Sequence, residues 1–421
     1  MKNVSIASDE FLAGTPKPTN LATLARRAVL QRLRVLQDGS LTLMDGDDEY
    51  HFGDKSSTLL ATITVTDPQF YTEVAFGGPI GGGEAYFRSY WHADSLTNVV
   101  RILARNRHVL EAMESGAARL TRPLQRVFHW LNRNTRRGSR RNISAHYDLG
   151  NEFFELWLDQ RMQYSSAIFE SPDMSLDDAQ EAKLERICRK LQLTSNDHLL
   201  EIGTGWGGLA IYAAKNHGCH VTTTTISEEQ YRYARDRVRV EGLEDRVTLL
   251  KKDYRELEGK FDKLVSVEMF EAVGHRFHAA FFQKCAELLK SDGLMVLQTI
   301  TIADQRYEVA KNSVDFIQRY IFPGGCLPSL TSMTQTMTSN TDLRLTHSED
   351  IGPHYATTLR RWHDRMFERI DDVINQGYSN EFIRMWQYYL CYCEGGFIER
   401  AIGNVQIIAT RPLNRAAAFI T

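Results

Sequence analysis

Short apolar runs alternate with longer amphipathic segments between residues 198 and 303, and this alternation constrains the fold more than any other feature of the chain. The runs HLLEIG, CHVTTTTIS, RVTLLKKD, FDKLVSVEMFE and GLMVLQTITIAD predict strands, whereas GLAIYAAKNH, SEEQYRYARDRVRV and FFQKCAELLK predict helices. Strands separated by helices of this length imply an α/β fold with a mostly parallel, doubly wound sheet. Such sheets bind their ligands beyond the carboxyl ends of the strands.

A glycine-rich loop follows the first of these strands and leads into a helix. In the segment Glu201-Ile-Gly203-Thr-Gly205-Trp-Gly207, the glycines fall at every second position after an acid. Glycines here allow a tight turn and a close approach of the backbone to a ligand. A dinucleotide-binding loop requires G-x-G-x-x-G, whereas this spacing resembles the loop of S-adenosylmethionine-dependent methyltransferases. Trp206 covers the methionine part of the cofactor or packs against the helix.

Polar residues also follow the next strands. Asp253 closes the third strand, where an acid can accept a hydrogen bond from an adenine amino group. The second strand ends in Thr225, Ile226 and Ser227, with Gln230 one helical turn later, where many nucleotide-binding folds carry an acid. A hydroxyl and an amide can form the same hydrogen bonds with a ribose without a charge.

The segment before the α/β region differs from it in sequence pattern and in charge. Residues 22–106 combine a helical start with alternating runs and predict a small strand-rich or mixed domain, in which GGPIGGGEAY, residues 77–86, forms a flexible turn. Eleven arginines and two glutamates then lie between residues 101 and 145, although the whole chain has a net charge of -3. This segment predicts a solvated linker or a surface for anionic lipid. The scarcity of interleaved aromatic residues disfavours nucleic acid.

Composition excludes several classes of protein. A chain of 421 residues with 43% hydrophobic and 24% charged residues is neither disordered nor collagen-like. No run approaches the roughly 18 apolar residues that a membrane span requires. No targeting segment is expected, and the six cysteines indicate the reduced thiols of a cytosolic protein. We expect an accessory lipid-binding domain over residues 1–125, a basic linker over 126–145 and an α/β domain over 146–421.

Seven blocks occur in an order that resembles one family. HYDLGNEFFELWLD, MQYSSAIFE, LLEIGTGWGGLA, TTTTISEEQ, VSVEMFEAVG, IQRYIFPGGCLPS and HYATTLRRW are similar to the blocks of the cyclopropane fatty acid synthases, including the shorter mycolic acid cyclopropane synthases. The resemblance covers residues 140–410. It implies a class I, Rossmann-like methyltransferase domain behind a smaller N-terminal α+β domain. It also implies transfer of a methyl group from S-adenosylmethionine to a cis double bond in the acyl chains of membrane phospholipids, which then closes to a cyclopropane.

The same resemblance assigns residues to the site. It implies that the cofactor is held by residues of four segments, namely Tyr164, Ser165, Glu201, Gly203, Gly205, Trp206, Gly207, Thr225, Ile226, Gln230, Asp253 and Tyr254. It further implies a bicarbonate ion as the base. Glu271 would fix this ion through a shared proton, Tyr355 would donate its hydroxyl to it, and the backbone of Ile300 would complete the pocket. No metal site is predicted.

The chain departs from the family pattern around this base. Ser166 replaces a cysteine, Ala272 replaces a histidine, and Gln298 replaces a second histidine. Glu268 is an additional acid at the end of a strand, which we interpret either as a substitute base or as a surface acid. These departures leave open whether this chain uses bicarbonate as the base. They also motivate an alternative reaction in which the acyl chain is methylated without ring closure, giving a methylene, methyl-branched or furan-type product.

Two further features have two interpretations each. Cys393 aligns with a cysteine that is sometimes considered catalytic in this family, but its spacing places it on an apolar helix stripe and predicts a buried structural thiol. The insertion over residues 304–346 is richer in apolar residues than a loop requires. It predicts either a lid over the acyl chain or a pair of core helices.

The expected partners are phospholipid acyl chains and an anionic membrane surface, with a homodimer as an open alternative and no nucleic acid. The expected location is cytoplasmic, peripherally associated with the inner face of the cell membrane. Two alternative functions are an amine N-methyltransferase and a lipid-binding protein without activity. The basic segment and leading domain argue against the first, and the intact glycine loop and Glu271 argue against the second.

Overall fold

The computed structural model describes residues 20–110 and 149–415. The chain divides into two compact units, Met1–Thr121 and Arg122–Thr421, which are treated separately. The predicted basic linker over residues 126–145 lies outside the described residues. None of the helices within the described ranges is long and apolar enough to cross a membrane.

The first unit is a mixed sheet packed with helices. Within the described residues of this unit, helices span Asn20–Leu33, Gln69–Phe87 and Leu96–Arg105, and strands span β1 (Ser40–Asp45), β2 (Asp48–Gly53), β3 (Leu60–Val65) and β4 (Trp91–Ala93). The strand order is β2-β1-β3-β4. Strand β1 pairs antiparallel with β2 across a tight turn and parallel with β3. The described part of this unit is therefore mixed α and β, as its sequence predicts.

The flexible turn predicted for residues 77–86 is wrong, because this segment lies within the helix Gln69–Phe87. The helix is broken only at Gly78, which has φ 58° and ψ -141°. Pro79 follows the break directly, where a proline at the start of a new helical turn loses no hydrogen bond. A Cβ at Gly81 would lie 2.0 Å from the carbonyl oxygen of Glu73. The glycines thus permit close packing across a kink.

The second unit contains a sheet of seven strands in the order β10-β11-β9-β8-β5-β6-β7. Five neighbouring strands are parallel, namely β5 (His198–Ile202), β6 (His220–Thr224), β7 (Val247–Leu250), β8 (Phe261–Val267) and β9 (Leu289–Ile302). Strand β11 (Ile402–Thr410) is antiparallel to β9, and β10 (Arg344–Asp350) is antiparallel to β11. This topology confirms the predicted α/β fold with a mostly parallel sheet.

Helices cover both faces of this sheet. They span Asn151–Glu155, Leu176–Leu191, Gly208–His217, Glu228–Val240, His278–Leu288, Asp304–Ala310, Phe316–Tyr320, Leu330–Asn340, Gly352–Glu368, Ile370–Asn375 and Asn380–Ile398, with 3₁₀ turns at Tyr254–Glu256, Phe270–Val273 and His275–Phe277. Serines 175, 227, 329 and 379 fix the starts of four helices, because each side chain accepts a hydrogen bond from a backbone amide of the first turn.

The insertion over residues 304–346 is helical. Met333 and Met337 of its helix Leu330–Asn340 are fully buried and belong to the hydrophobic core on one face of the sheet. By contrast, the helix Asp304–Ala310 has no buried residue, and Val309 is 66% exposed. The last helix of the insertion is therefore core, and any lid would be formed by the helices before it.

Candidate active site

The glycine loop leaves the carboxyl end of β5 in a conformation that glycine favours. Gly203, Gly205 and Gly207 have φ values of 106°, 52° and 86°. A Cβ at Gly203 would lie 3.2 Å from Met269, and one at Gly207 would lie 3.1 Å from Ala234. A Cβ at Gly205 would meet no atom within 4 Å. The loop is thus packed closely at both ends and open at Gly205, which fits a ligand that approaches the backbone there.

The acid that precedes the glycines lies inside the sheet. Glu201 is 3% exposed, and its Oε2 accepts a hydrogen bond of 2.5 Å from the hydroxyl of Thr223 on β6. Burial raises the pKa of Glu201 to about 8. The amides of Gly203 and Thr204 both donate to the carbonyl of Thr224 at 3.1 Å. Glu201 therefore joins β5 to β6 at the base of the loop.

Trp206 packs within the protein. Its side chain is 2% exposed, its Nε1 donates to Oδ1 of Asn151 at 2.7 Å, and its ring lies 5.1 Å from that of Phe154. Of the two interpretations of this residue, the contacts support packing against the helix Asn151–Glu155.

Residues expected on the ribose side meet at the end of β6. The hydroxyl of Thr225 donates to Oε1 of Gln230 at 3.0 Å and accepts from the amide of Ser227 at 3.1 Å. Ile226 lies between them and is partly exposed. The structure therefore brings Thr225, Ile226 and Gln230 together at the same sheet edge as the glycine loop.

The residues expected on the adenine side have protein partners. Both carboxylate oxygens of Asp253 accept hydrogen bonds from Arg255, at 2.8 Å from Nε and 2.6 Å from Nη2. The ring of Tyr254 packs on Phe281 with the centroids 5.4 Å apart. Its buried hydroxyl has no hydrogen-bond partner among the described residues. Asp253 thus begins the 3₁₀ turn at the site edge, whereas Tyr254 contributes to the core.

The segment from Gln163 to Ser166 is anchored by a buried lysine. Lys183 is fully buried, and its Nζ donates to Oε1 of Gln163 at 2.7 Å and to Oγ of Ser165 at 2.8 Å. Burial lowers the pKa of Lys183 to about 8. The hydroxyl of Tyr164 lies 2.9 Å from that of Tyr389, and its ring packs at 5.4 Å from that of Trp362. Tyr164 therefore forms part of an aromatic wall.

Glu268 receives hydrogen bonds from four segments of the chain. Its Oε1 accepts from the amide of Ser166 at 3.0 Å, from Nε2 of Gln298 at 2.8 Å and from Nδ2 of Asn404 at 2.6 Å. Its Oε2 accepts from the hydroxyl of Tyr355 at 2.7 Å. Burial raises the pKa of Glu268, while these hydrogen bonds lower it. The interpretation of Glu268 as a surface acid is therefore wrong.

Glu271 lies one turn further along, in the 3₁₀ turn Phe270–Val273. Its Oε1 accepts a hydrogen bond from the amide of Ile300, and its buried Oε2 has no hydrogen-bond partner among the described residues. Burial, together with the negative charge of Glu268, raises the pKa of Glu271 to about 8. At neutral pH, Glu271 is therefore mainly protonated.

The residues around Glu268 do not fit a bicarbonate ion. Tyr355, which the resemblance assigns to the ion, donates instead to the carboxylate of Glu268, and so do Gln298 and the amide of Ser166. The amide of Ile300 donates to Glu271. A separate anion would have to compete for these donors beside an existing negative charge. The carboxylate of Glu268 takes the set of donors that a bicarbonate would need.

Cys393 lies on the helix Asn380–Ile398 and is partly buried, so the sequence-based prediction of a buried thiol holds only in part. Burial nevertheless raises the pKa of its thiol. The thiolate is the reactive form of cysteine, so a raised pKa argues against a nucleophilic role.

Several polar residues of the site were not predicted from the sequence. Asn404 and Gln406 lie on β11, the second strand from one edge of the sheet, and are fully buried. The strand reads IGNVQIIAT, so these two residues occupy alternate positions and share one face of a buried strand. Buried polar residues at this spacing are the signal that could have identified them. Lys183 and Lys190 carried no such signal, because lysines are ordinary residues of an amphipathic helix.

Comparison with known proteins agrees with this geometry. The family model described as mycolic acid cyclopropane synthetase matches residues 134–407. The tuberculostearic acid methyltransferase UfaA1 of Mycobacterium tuberculosis is 38% identical over 76% of this chain and 76% of its own. The cyclopropane-fatty-acyl-phospholipid synthase of Escherichia coli K12 is 37% identical over 83% of this chain and 88% of its own.

Solved structures give the same result. The cyclopropane synthase MmaA2 from Mycobacterium tuberculosis superposes with a TM-score of 0.60 at 30% identity, over 64% of this chain and 98% of its own. The mycolic acid cyclopropane synthase CmaA1 in complex with SAH and CTAB has a TM-score of 0.60 at 31% identity, over 64% of this chain and 98% of its own. The chain is therefore an S-adenosylmethionine-dependent methyltransferase and belongs to the mycolic acid cyclopropane synthetase family.

Proposed function

We propose that this enzyme methylates the cis double bond of unsaturated acyl chains in membrane phospholipids, and that Glu268 accepts the proton that the product loses. The observation that carries this proposal is the convergence of four hydrogen-bond donors on the carboxylate of Glu268. When bound, S-adenosylmethionine supplies an electrophilic methyl group.

The chemistry requires a dry, positioned site. An alkene is a weak nucleophile, so its π electrons must be aligned with the methyl group, and the resulting cation must be kept away from water. The aromatic wall formed by Tyr164, Trp362, Tyr389 and Phe322 provides apolar surface, with ring centroids between 5.4 and 6.3 Å apart. At its edge lies Tyr355, which donates to Glu268. A proton released beside this wall has a carboxylate to receive it.

The two acids have different tasks. Hydrogen bonds from Ser166, Gln298, Asn404 and Tyr355 favour the ionised form of Glu268, which is the form that accepts a proton. Glu271 has a pKa of about 8 and is mainly neutral at pH 7. Because Glu271 is neutral, it does not add a second negative charge to the site. We therefore assign the base to Glu268 and a supporting role to Glu271.

Two products follow from the same methyl transfer. Proton loss from the new methyl group of the first cation closes a cyclopropane. Proton loss from a neighbouring chain carbon leaves a methyl-branched alkene, and a hydride shift from the methylated carbon followed by proton loss from the methyl group leaves a methylene. The resemblance to the Escherichia coli synthase supports the first product, and the 38% identity to a tuberculostearic acid methyltransferase supports the second. The poor fit of bicarbonate supports the second, because ring closure in the family that the chain resembles uses that ion as the base, and Glu268 already takes the donors of Ser166 and Gln298.

A cleft where the end of β9 meets the start of β11 is our candidate path for the acyl chain. It has a volume of about 270 Å³ and is lined mainly by apolar residues, among them Ile302, Leu330, Phe397 and Val405. Phe397 stacks on Tyr355 at 4.5 Å, so one residue of the cleft contacts the tyrosine that donates to Glu268. Asp304 at its rim begins the exposed helix Asp304–Ala310. This position supports a lid formed by the helices between residues 304 and 320.

The product decides between these reactions. The purified chain is incubated with S-adenosylmethionine and vesicles of phospholipids that carry cis-monounsaturated chains, and the fatty acids are analysed by mass spectrometry before and after mild hydrogenation. We expect the mass to increase by one CH₂ group. A methylene product then takes up hydrogen, whereas a cyclopropane does not under the same conditions. No mass increase on any unsaturated phospholipid would contradict the proposed substrate class.

A further inference from the structure

The hydrogen bond from Gln298 to Glu268 is the last link of a chain of buried side chains. Nζ of Lys190 donates to Oε1 of Gln406 at 2.6 Å. Nε2 of Gln406 donates to Oε1 of Gln298 at 2.8 Å, and Nε2 of Gln298 donates to Oε1 of Glu268 at 2.8 Å. Gln298 and Gln406 lie directly opposite each other on β9 and β11. Lys190 and both glutamines are fully buried.

The direction of this chain follows from the chemistry of its two ends. An ammonium group only donates hydrogen bonds, and an ionised carboxylate only accepts them. Gln406 must therefore present its oxygen to Lys190, which directs its amide nitrogen to Gln298. Gln298 must in turn present its oxygen to Gln406 and its nitrogen to Glu268. One orientation of each amide satisfies every link, and Lys190 fixes this orientation from the end opposite the acid.

We propose that Lys190 is a positioning residue for Glu268, and that it acts through Gln406 and Gln298 to hold a donor against the carboxylate and keep it ionised until it accepts a proton. This inference rests on the proposed function, because it requires Glu268 to be the base. Lys190 itself touches neither substrate nor cofactor in this scheme. Its contribution is the orientation of two amides.

Other charged and titratable groups surround both ends of the chain. Glu268 is faced by Tyr355, Glu271, Lys183 and Tyr389. These groups remain in every variant used below, so their effects on Glu268 are common to wild type and variants.

The other end is surrounded by groups on β10 and on the helix of Lys190. Lys190 donates to the carboxylate of Glu349, and His347 lies close enough to feel its charge. Arg186 also donates to Glu349, at 3.1 Å from Nε, and its side chain is 24% exposed. Arg186→Gln therefore removes a positive charge from the same carboxylate without removing a link of the chain, which makes it the matched control.

Two variants interrupt the chain in different ways. Lys190→Met removes the end that sets its direction. Gln406→Glu keeps the shape and lets Lys190 form an ion pair, but a carboxylate can only accept from Gln298, so Gln298 would turn its oxygen towards Glu268. The rate of methyl transfer to vesicles of cis-monounsaturated phospholipid is measured against pH at saturating S-adenosylmethionine. Cofactor affinity is measured by calorimetry.

We expect both variants to bind the cofactor as wild type does and to lose about tenfold in rate at pH 7. The base works in its ionised form, so the rate rises with pH through the pKa of Glu268. Loss of the donor raises this pKa, and the acid limb of the profile therefore moves to higher pH, by about one unit. Arg186→Gln is expected to leave the acid limb in place.

An unchanged acid limb in Gln406→Glu that binds cofactor normally would overturn the inference. If Lys190→Met does not fold, Gln406→Glu decides alone. Glu268→Gln separates this inference from the proposed function. An inactive Glu268→Gln with a normal profile for Gln406→Glu overturns only the positioning role of Lys190. A fully active Glu268→Gln overturns the assignment of the base, and the role of Lys190 with it.

Discussion

The hydroxyl of Tyr355 lies 2.7 Å from Oε2 of Glu268, and the ring that carries this hydroxyl stacks on Phe397 with the planes 7° apart. Stacking on Phe397 fixes the orientation of the Tyr355 ring, and this orientation points the hydroxyl at the carboxylate of Glu268. Because Oε1 of Glu268 is occupied by three other donors, Tyr355 provides the one hydrogen bond to Oε2 that the described residues supply. Removing the hydroxyl therefore tests the role of the acid while the surrounding packing stays in place.

Tyr355→Phe is expected to reduce the rate of methyl transfer about tenfold, since a hydrogen bond to a charged group is lost. The ring remains to stack on Phe397, so the fold and the cofactor affinity should be retained. Tyr212→Phe is the control, because the hydroxyl of Tyr212 donates to a different acid, Glu185, at 3.1 Å. Equal losses in both variants would indicate a general effect on stability.

Gly205→Asp is expected to abolish cofactor binding, with the affinity reduced at least about tenfold. The new carboxylate would project into the open space beside the loop, where the cofactor is expected to approach. Gly242→Asp is the matched control, because Gly242 also has a positive φ, 66°, and no atom within 4 Å of an added Cβ. Both variants carry the same backbone strain. Unchanged affinity in Gly205→Asp, measured by calorimetry, would exclude this loop from the cofactor site.

Glu268→Gln is expected to be more damaging to the rate than Glu271→Gln, while both keep their cofactor affinity. An amide cannot serve as the base in place of Glu268, whereas it resembles the neutral form that Glu271 mainly adopts at pH 7. Added bicarbonate should leave the wild-type rate unchanged. Stimulation of the wild type by bicarbonate, with Glu271→Gln as the more damaging change, would restore the ion as the base.

The raised pKa of Glu271 also predicts how stability depends on pH. A glutamate in the unfolded chain ionises near pH 4.5, whereas Glu271 in the folded chain ionises near pH 8. The folded state therefore binds more protons between these values, and its stability falls as the pH rises through this range. Glu271→Gln removes this contribution. Its melting temperature should decline less than that of wild type between pH 5 and pH 8, and parallel declines would contradict the raised pKa.

The basic segment is expected to bind anionic membranes. Arginines 136, 137, 140 and 141 lie outside the described residues, so this prediction rests on the sequence. Replacing all four with Gln should weaken binding to anionic vesicles and flatten its salt dependence, and should change binding to neutral vesicles little. Cosedimentation with vesicles measures both. Equal binding by the variant and wild type to anionic vesicles would leave the segment as a linker.

The sheet was predictable from the sequence because each parallel strand is apolar and each intervening helix is amphipathic. The glycine segment of residues 77–86 was mistaken for a turn, since its glycines suggested flexibility while its apolar residues are buried in a kinked helix. The position of the acid before the glycine loop was also predictable. Its burial between β5 and β6 was not, because it depends on the hydrogen bond from Thr223.

The environment of Glu268 could not be predicted for a related reason. Its donors come from residues 166, 298, 355 and 404, which are far apart in the chain. The family pattern identified three of these positions, but it did not show that they would converge on a side chain of the protein. Lys190 is connected to Gln298 by Gln406 on β11. The role of Gln406 becomes apparent only once β11 is paired with β9.

Glu268 has a φ of 48°, a backbone conformation that suits glycine better than glutamate. Glu268→Gly would relieve this strain and leave an opening surrounded by the donors of Ser166, Gln298, Asn404 and Tyr355. A small anion such as formate or bicarbonate matches such an opening in charge and size. This single substitution would therefore replace a base that belongs to the chain with a cavity that takes a small anion from solution as its base. The backbone conformation at residue 268 suits both arrangements.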